Sequence, residues 1–163
     1  MTRTRWSLSA LILLLFGASL AWGAPKTLPE VSLEPLGEGK ALNTSSLVGK
    51  PTLLAFFTPT CPYCRDELVL LESLRSAYPP EKLAMLAVTP SGSPKTLSRT
   101  MLSRWKVTTI PGYQDPKNAL FDAFEVEGVP FTVLTDRKGR VVRTFLGLMP
   151  KEELTAALDK AIR

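Results

Sequence analysis

Two cysteines stand three positions apart as Cys61-Pro62-Tyr63-Cys64, and the chain of 163 residues contains no others. A hydrophobic run precedes them and a helical pattern follows. That order puts the first sulfur at a helix N-terminus, where free backbone N–H groups and the helix dipole stabilise a thiolate. Two intervening residues on a helix bring both sulfurs to one face, within reach of a disulfide. Cys61, at the helix start, is the expected nucleophile, and Cys64, one turn in and turned toward the core, is the expected resolving thiol. The same residues allow other uses. A single structural disulfide is ordinary in an exported protein, but closing so short a loop removes little chain entropy. Zinc needs two more ligands, and with no histidine in the chain they would have to be carboxylates. The missing histidine also excludes a His general base, and Arg65 after Cys64 excludes C-x-x-C-H haem attachment.

Two further residues stand out. Glu67 lies three positions after Cys64, so helical spacing sets it on the inward stripe. A carboxyl group held in apolar surroundings keeps its proton to higher pH and can exchange one with Cys64 during resolution. Equally, an acid near a helix start is favoured by the dipole and can simply be solvated. Pro130 follows Gly128-Val129 and opens an apolar run. Proline at the first position of a strand is ordinary, with a trans bond as the default.

These residues need a frame to position them. Pro51 to Phe57 is a continuous apolar run between Gly49 and Pro59, the pattern of a central strand covered on both faces. Cys61 to Tyr78 reads as a helix, with Pro62 suited to its first position and Pro79-Pro80 ending it. Val31 to Leu42 reads as a short hairpin or lead-in, and Lys82 to Val88 as a second buried strand. Ser93-Pro94 and Asp115-Pro116 each announce a helix, the first carrying Leu97, Met101, Leu102 and Trp105 on one face, the second Leu120, Ala123 and Phe124. Phe131 to Thr135 and Val141 to Phe145 form a hairpin through Asp136 to Gly139, and Leu154, Ala157, Leu158 and Ile162 mark a closing helix. The predicted fold class is α/β, a mixed sheet with helices on both faces and the dithiol at the carboxyl end of a central strand.

Residues 1–23 read as a secretory signal. Arg3 and Arg5 begin it, Leu8 to Leu20 form an apolar centre, and Ala21-Trp22-Gly23 offers small residues for cleavage. An uncleaved membrane anchor built from residues 6–22 is the alternative, although the apolar run is shorter than the roughly 20 residues of a spanning helix. Residues 24–163 then make one domain, periplasmic or otherwise exported. They hold eighteen basic and fifteen acidic residues, a net charge of +3 that is too mild to argue for nucleic acid.

Strand, Cys61-Pro62-Tyr63-Cys64, helix, then Gly128-Val129-Pro130 opening a hairpin: together these resemble the thioredoxin fold, and most closely its exported TlpA/ResA-like thiol-disulfide oxidoreductases, from about Glu30 to Ile162. The resemblance implies a thioredoxin-like domain with a cis Val129–Pro130 peptide beside the dithiol, and backbone at Val129 pairing with the substrate chain. Pro62, Tyr63, Val129 and Pro130 become the substrate-facing residues. It also implies a buried acid at Glu67, since the position of thioredoxin's own buried aspartate is Ala55 here. The 69 positions separating Cys61 from Pro130 exceed thioredoxin's spacing, so a strand and helix around Lys82 to Trp105 look like the insertion of the exported group. Two departures stand against the pattern. Thr60 replaces the usual tryptophan before the first cysteine, and the Pro-Tyr pair is one common in glutaredoxins, which are less reducing than thioredoxin.

The function read from this is disulfide exchange with protein thiols, in the reducing direction rather than the oxidising one, as in cytochrome c maturation. A membrane thiol-disulfide transporter is the expected electron donor. The expected protein is a monomer with no metal and no cofactor beyond the Cys61–Cys64 disulfide. A thiol peroxidase competes with this reading, because Thr58 stands three before Cys61 as a threonine does in peroxiredoxins and Cys64 could resolve a sulfenic acid. A module that only binds a metal or a partner is the third possibility.

Overall fold

The computed structural model describes residues 25–163, so the leader expected over residues 1–23 lies outside the described residues. The strands are β1 (Ser32–Pro35), β2 (Leu42–Asn43), β3 (Thr52–Phe56), β4 (Ala84–Pro90), β5 (Gly112–Asp115), β6 (Phe131–Thr135) and β7 (Val141–Leu146). The α-helices are α1 (Pro62–Leu74), α2 (Lys95–Arg104), α3 (Ala119–Ala123) and α4 (Lys151–Ile162). The strands form one sheet in the order β2-β1-β5-β4-β3-β6-β7. β3, β4 and β5 run parallel, and every other pairing is antiparallel.

β3 is buried along its whole length, and its side chains alternate between two cores. Leu53 and Ala55 face a core shared with Cys64, Leu68 and Leu71 of α1, Leu102 of α2, and Leu154 and Leu158 of α4. Leu54 and Phe56 face the opposite core, closed by Leu120 of α3 and by Phe124, which caps its end. The continuous apolar run therefore has its physical cause in two covered faces. Among the described residues no helix is long and apolar enough to cross a membrane.

The structure alters the sequence reading in three places. α1 stops at Leu74, short of Tyr78. The buried Arg75 donates from Nη1 to the carbonyls of Tyr78 (3.0 Å) and Leu83 (2.9 Å), which folds the chain into a turn instead of another helical turn. Tyr78 beyond it reaches α4, where its hydroxyl donates to Asp159 at 2.8 Å; burial and that carboxylate push its pKa up to about 12. α2 begins after Pro94 with no side-chain cap, so Ser93 does not cap it. Ser93 instead accepts the Gln114 amide on its carbonyl at 2.7 Å.

The third difference is β5, which the apolar pattern did not announce. Gly112-Tyr-Gln-Asp115 inserts between β1 and β4, so β4, α2, β5 and α3 all lie between the dithiol helix and β6. Gly112 is closely approached there: a Cβ would sit 2.6 Å from Leu102 Cδ1 and 2.8 Å from Leu36 Cδ1, so a larger residue would make both leucines shift. Asp115 ends β5 fully buried, and its carboxylate accepts the N–H groups of Ala119 (3.0 Å), Leu120 (2.7 Å) and Phe121 (3.3 Å) at the start of α3. The Asp-Pro start signal thus works from a strand end rather than from the residue next to the helix.

Replacing Asp115 by Ala leaves three N–H groups without their acceptor and is predicted to cost about 2 kcal/mol of stability. Urea denaturation monitored by circular dichroism checks this, with a lower midpoint and an unchanged slope as the expected result.

Candidate active site

β3 delivers the chain to the site and α1 carries it away. After Phe56 the chain leaves the sheet, and the Cys61 N–H donates to the Thr58 carbonyl at 3.2 Å in a tight turn. Cys61 is the N-cap of α1 and Pro62 occupies the first turn, where its missing N–H removes no helical hydrogen bond. The Cys61 sulfur takes the capping role that a hydroxyl or carboxylate fills elsewhere: it accepts the Cys64 N–H at 3.1 Å. The two sulfurs are joined as a disulfide across a Cα–Cα distance of 5.3 Å. Cys64 is fully buried against the α1 core, whereas Cys61 is partly exposed.

The facing wall comes from the start of β6. The Val129–Pro130 peptide is cis, and the Val129 carbonyl oxygen lies 3.6 Å from Cys61 Sγ. Pro130 is buried and its carbonyl accepts the Gly147 N–H at 2.8 Å, which ties this wall to the end of β7. Cys61, Cys64, Val129 and Pro130 are thereby brought together from positions nearly seventy residues apart. Pro62 and Tyr63 stand on the outer surface of the same turn, Tyr63 with 63% of its surface exposed.

Glu67 is 1% exposed, one helical turn below Cys64. Oε2 receives a long bond of 3.4 Å from the Met149 N–H, and Oε1 has no hydrogen-bond partner among the described residues. Burial pushes its carboxyl above the ordinary carboxylate range, and the Met149 N–H and the neighbouring Thr132 side chain only partly oppose that. Of the two placements open from the sequence, the inward one is found.

Several residues around the dithiol carried no usable signal in the sequence. A groove of about 420 Å³ beside Cys61 is lined by Pro59, Thr60, Pro62, Arg65, Met101 and Trp105. Trp105 stacks edge-on against Phe57 with ring centroids 6.2 Å apart, so the end of α2 forms one bank of the groove. On the other side of the site Leu146 (73% exposed) and Leu148 (46%) project from the end of β7 and the loop that follows. Met101 and Trp105 were legible as a helix stripe, but nothing local says that the stripe reaches the cysteines.

The fold and site are those of a thioredoxin-like protein. The sequence matches the family of thioredoxin-like domains over residues 39–162, and the chain belongs to that family. Within it, the chain is a thiol-disulfide oxidoreductase. It is 32% identical over 134 residues to the thioredoxin-like protein YneN of Bacillus subtilis, covering 80% of this chain and 76% of that one. It is 28% identical over 144 residues to the thiol-disulfide oxidoreductase ResA of Geobacillus thermodenitrificans, covering 88% and 81%. A solved structure described as the thiol:disulfide interchange protein DsbE of Chlorobium tepidum superposes with a TM-score of 0.76 at 21% identity, covering 86% of this chain and 98% of that one.

The buried carboxyl yields a test whose sign follows from its shift. Because the folded state holds the Glu67 proton more tightly than the unfolded chain does, stability declines as pH rises from the ordinary carboxyl value of 4.5 through the raised folded-state value. Glu67→Gln removes that penalty. The variant is predicted to be more stable than wild type at neutral pH, with the advantage shrinking to nothing as the pH falls to about 4, below both values. Thermal denaturation of the oxidised proteins across this pH range reads it directly; a constant difference at every pH would mean that the carboxyl is solvated.

Proposed function

We propose that the protein reduces disulfides in exported polypeptides, with Cys61 as nucleophile, Cys64 as resolving thiol and Glu67 as the proton carrier for Cys64. The observation that carries this reading is the Cys61 sulfur accepting the Cys64 N–H at the head of α1 while the Val129 carbonyl faces it. In the reduced enzyme the Cys61 thiolate attacks one sulfur of a substrate disulfide, and the other substrate sulfur leaves as a thiolate. Cys64 gives its proton to the Glu67 carboxylate and attacks Cys61 Sγ. That attack breaks the mixed disulfide, frees the second substrate thiol and leaves Cys61–Cys64 oxidised. Two electrons pass to the substrate, and a dithiol donor must return two to the enzyme.

The partly exposed Val129 supplies backbone that an extended substrate segment can pair with, next to the Pro130 wall. Tyr63, Leu146 and Leu148 expose apolar surface around the same point, as a protein-docking rim does. This supports protein substrates over small thiols. Export by residues 1–23, or retention by residues 6–22 as an anchor, places the reaction in the periplasm or an equivalent compartment. There a membrane thiol-disulfide transporter is the fitting donor and apocytochrome c cysteines are fitting substrates. A monomer is sufficient for this chemistry.

Cys64→Ser expressed in the source cell is predicted to accumulate mixed disulfides between Cys61 and its substrates, visible as adducts that collapse on reduction. Cys61→Ser/Cys64→Ser should trap none, and an absence of adducts in both would favour a binding role. The direction is set by potential. A value near about −120 mV, with the pair found oxidised in cells, would overturn the reducing assignment.

A further inference from the structure

A second concave surface of the described residues has no part in the dithiol chemistry. It is a groove of about 670 Å³ between the β6–β7 hairpin and α4. β6 starts at the site wall and ends at this groove, five residues or roughly 17 Å away. Its floor is apolar, formed by Leu134, Ala157 and Ala161, with the half-exposed Val142 on the rim. Its banks carry Arg137, Lys138, Arg140, Arg143, Lys160 and Arg163, against Asp136 as the one lining acid. A second groove of about 590 Å³ shares Asp136, Arg140, Val142 and Arg143 and adds Lys26.

Some of these cations are already engaged. Arg140 pairs with Asp136 at 2.6 Å, Arg143 pairs with Glu153, and Arg137 donates to the Ile162 carbonyl at 3.0 Å. Lys26, Lys138 and Lys160 are exposed and make no ion pair among the described residues. The concentration matters more than the count. Seven of the eighteen basic residues after position 23 lie on this one pole, with Asp136 and Glu153 beside them. The remainder of residues 24–163 is left with eleven basic and thirteen acidic residues, so the domain is polarised: positive at the end remote from the dithiol and slightly negative elsewhere.

Lys26 also marks where the leading segment joins the domain. Residues 1–24, which carry the apolar run Leu8 to Leu20, connect at the edge of this basic face, and Val141 donates its N–H to the Lys26 carbonyl at 2.9 Å to fix the junction. We propose that the Lys26–Lys138–Lys160 face binds the anionic phospholipid headgroups of a membrane surface, which turns the Cys61–Cys64 edge away from the bilayer toward its protein partners. Several lysines and arginines near an anionic leaflet each add attraction that falls off within a Debye length. The exposed Val142 and the alanines of α4 give the headgroup region an apolar contact between those charges. The orientation rests on residues 1–24 engaging the bilayer; the lipid preference rests on the charges alone.

The test uses the full chain, sedimented with phosphatidylcholine vesicles or with vesicles that also contain phosphatidylglycerol. The apolar leader partitions into both, and its Arg3 and Arg5 are common to wild type and variant, so the change in that ratio on substitution isolates the basic face. Wild type is predicted to prefer the anionic vesicles, with a preference that declines as salt is added. Lys26→Gln/Lys138→Gln/Lys160→Gln should lose on the order of a hundredfold of it, at about fivefold per cation. The variant's disulfide exchange rate in solution should be unchanged, which shows that the fold and the redox site are intact. A wild type without preference, as when residues 1–24 themselves fill the groove, overturns the proposal, and so does a preference that is undiminished in the variant. Protection of the groove by inorganic phosphate, with both vesicles bound alike, overturns it in favour of a small-anion site.

Discussion

The structure around the dithiol depends on one hydrogen bond in an unusual place: a helix whose first free N–H groups are met by sulfur. A helix start leaves donors unsatisfied, and here the Cys64 N–H finds its acceptor in Cys61 Sγ at 3.1 Å. That bond holds only if α1 begins where β3 ends. Two buried features keep it there: β3, covered on both faces, and the packing of Leu68 and Leu71 into the sheet. The opposite wall is anchored just as firmly, through the Gly147 N–H bonded to the Pro130 carbonyl. The Cys61 sulfur thus sits between two anchored edges and is itself the group that caps the helix. A sulfur in that position gains most from the dipole when it carries negative charge, so the fold favours its reactive form.

Glu67 belongs to the same helix and is an expense to the fold. A carboxyl that is 1% exposed, with one long hydrogen bond, is not there for stability. In the mechanism proposed above, its place one turn below the buried Cys64 gives it another use, because a buried thiol cannot lose its proton directly to water. The acid and the proposed resolving thiol are both buried on the inner side of α1. The Met149 N–H keeps the carboxyl from being orphaned altogether and ties α1 to the loop ahead of α4.

What was legible in the sequence was whatever local pattern decides. The run from Pro51 to Phe57, the helix opened by Pro62 and the hairpin turning at Gly139, whose φ is +71°, follow from burial, proline geometry and glycine's freedom at positive φ. Cys61 and Cys64 were legible because their spacing and setting are themselves chemical. β5 was not, since Gly112-Tyr-Gln-Asp115 has no apolar alternation and owes its place to β1 and β4 on either side. The end of α1 was set by Arg75 reaching two carbonyls beyond the helix, and no propensity encodes that reach. The residue pattern alone left Glu67 open between surface and core; the resemblance implied a buried acid, and the Met149 loop, eighty-two residues away, is what closes over it. The groove formed by Met101 and Trp105 beside Cys61 likewise exists only because α2 docks there.

The molecule has two poles, a dithiol edge ringed by exposed apolar side chains and a basic face at the other end of β6, with the leading segment joined to the second. The chemistry depends on the first, and within it on Cys61 being the reactive sulfur. Alkylation of the reduced protein by iodoacetamide at pH 6, mapped by mass spectrometry, tests this most directly. Cys61 alone should be modified, and faster than the same cysteine in the denatured chain. Modification of Cys64 first, or of both at the denatured rate, would contradict it.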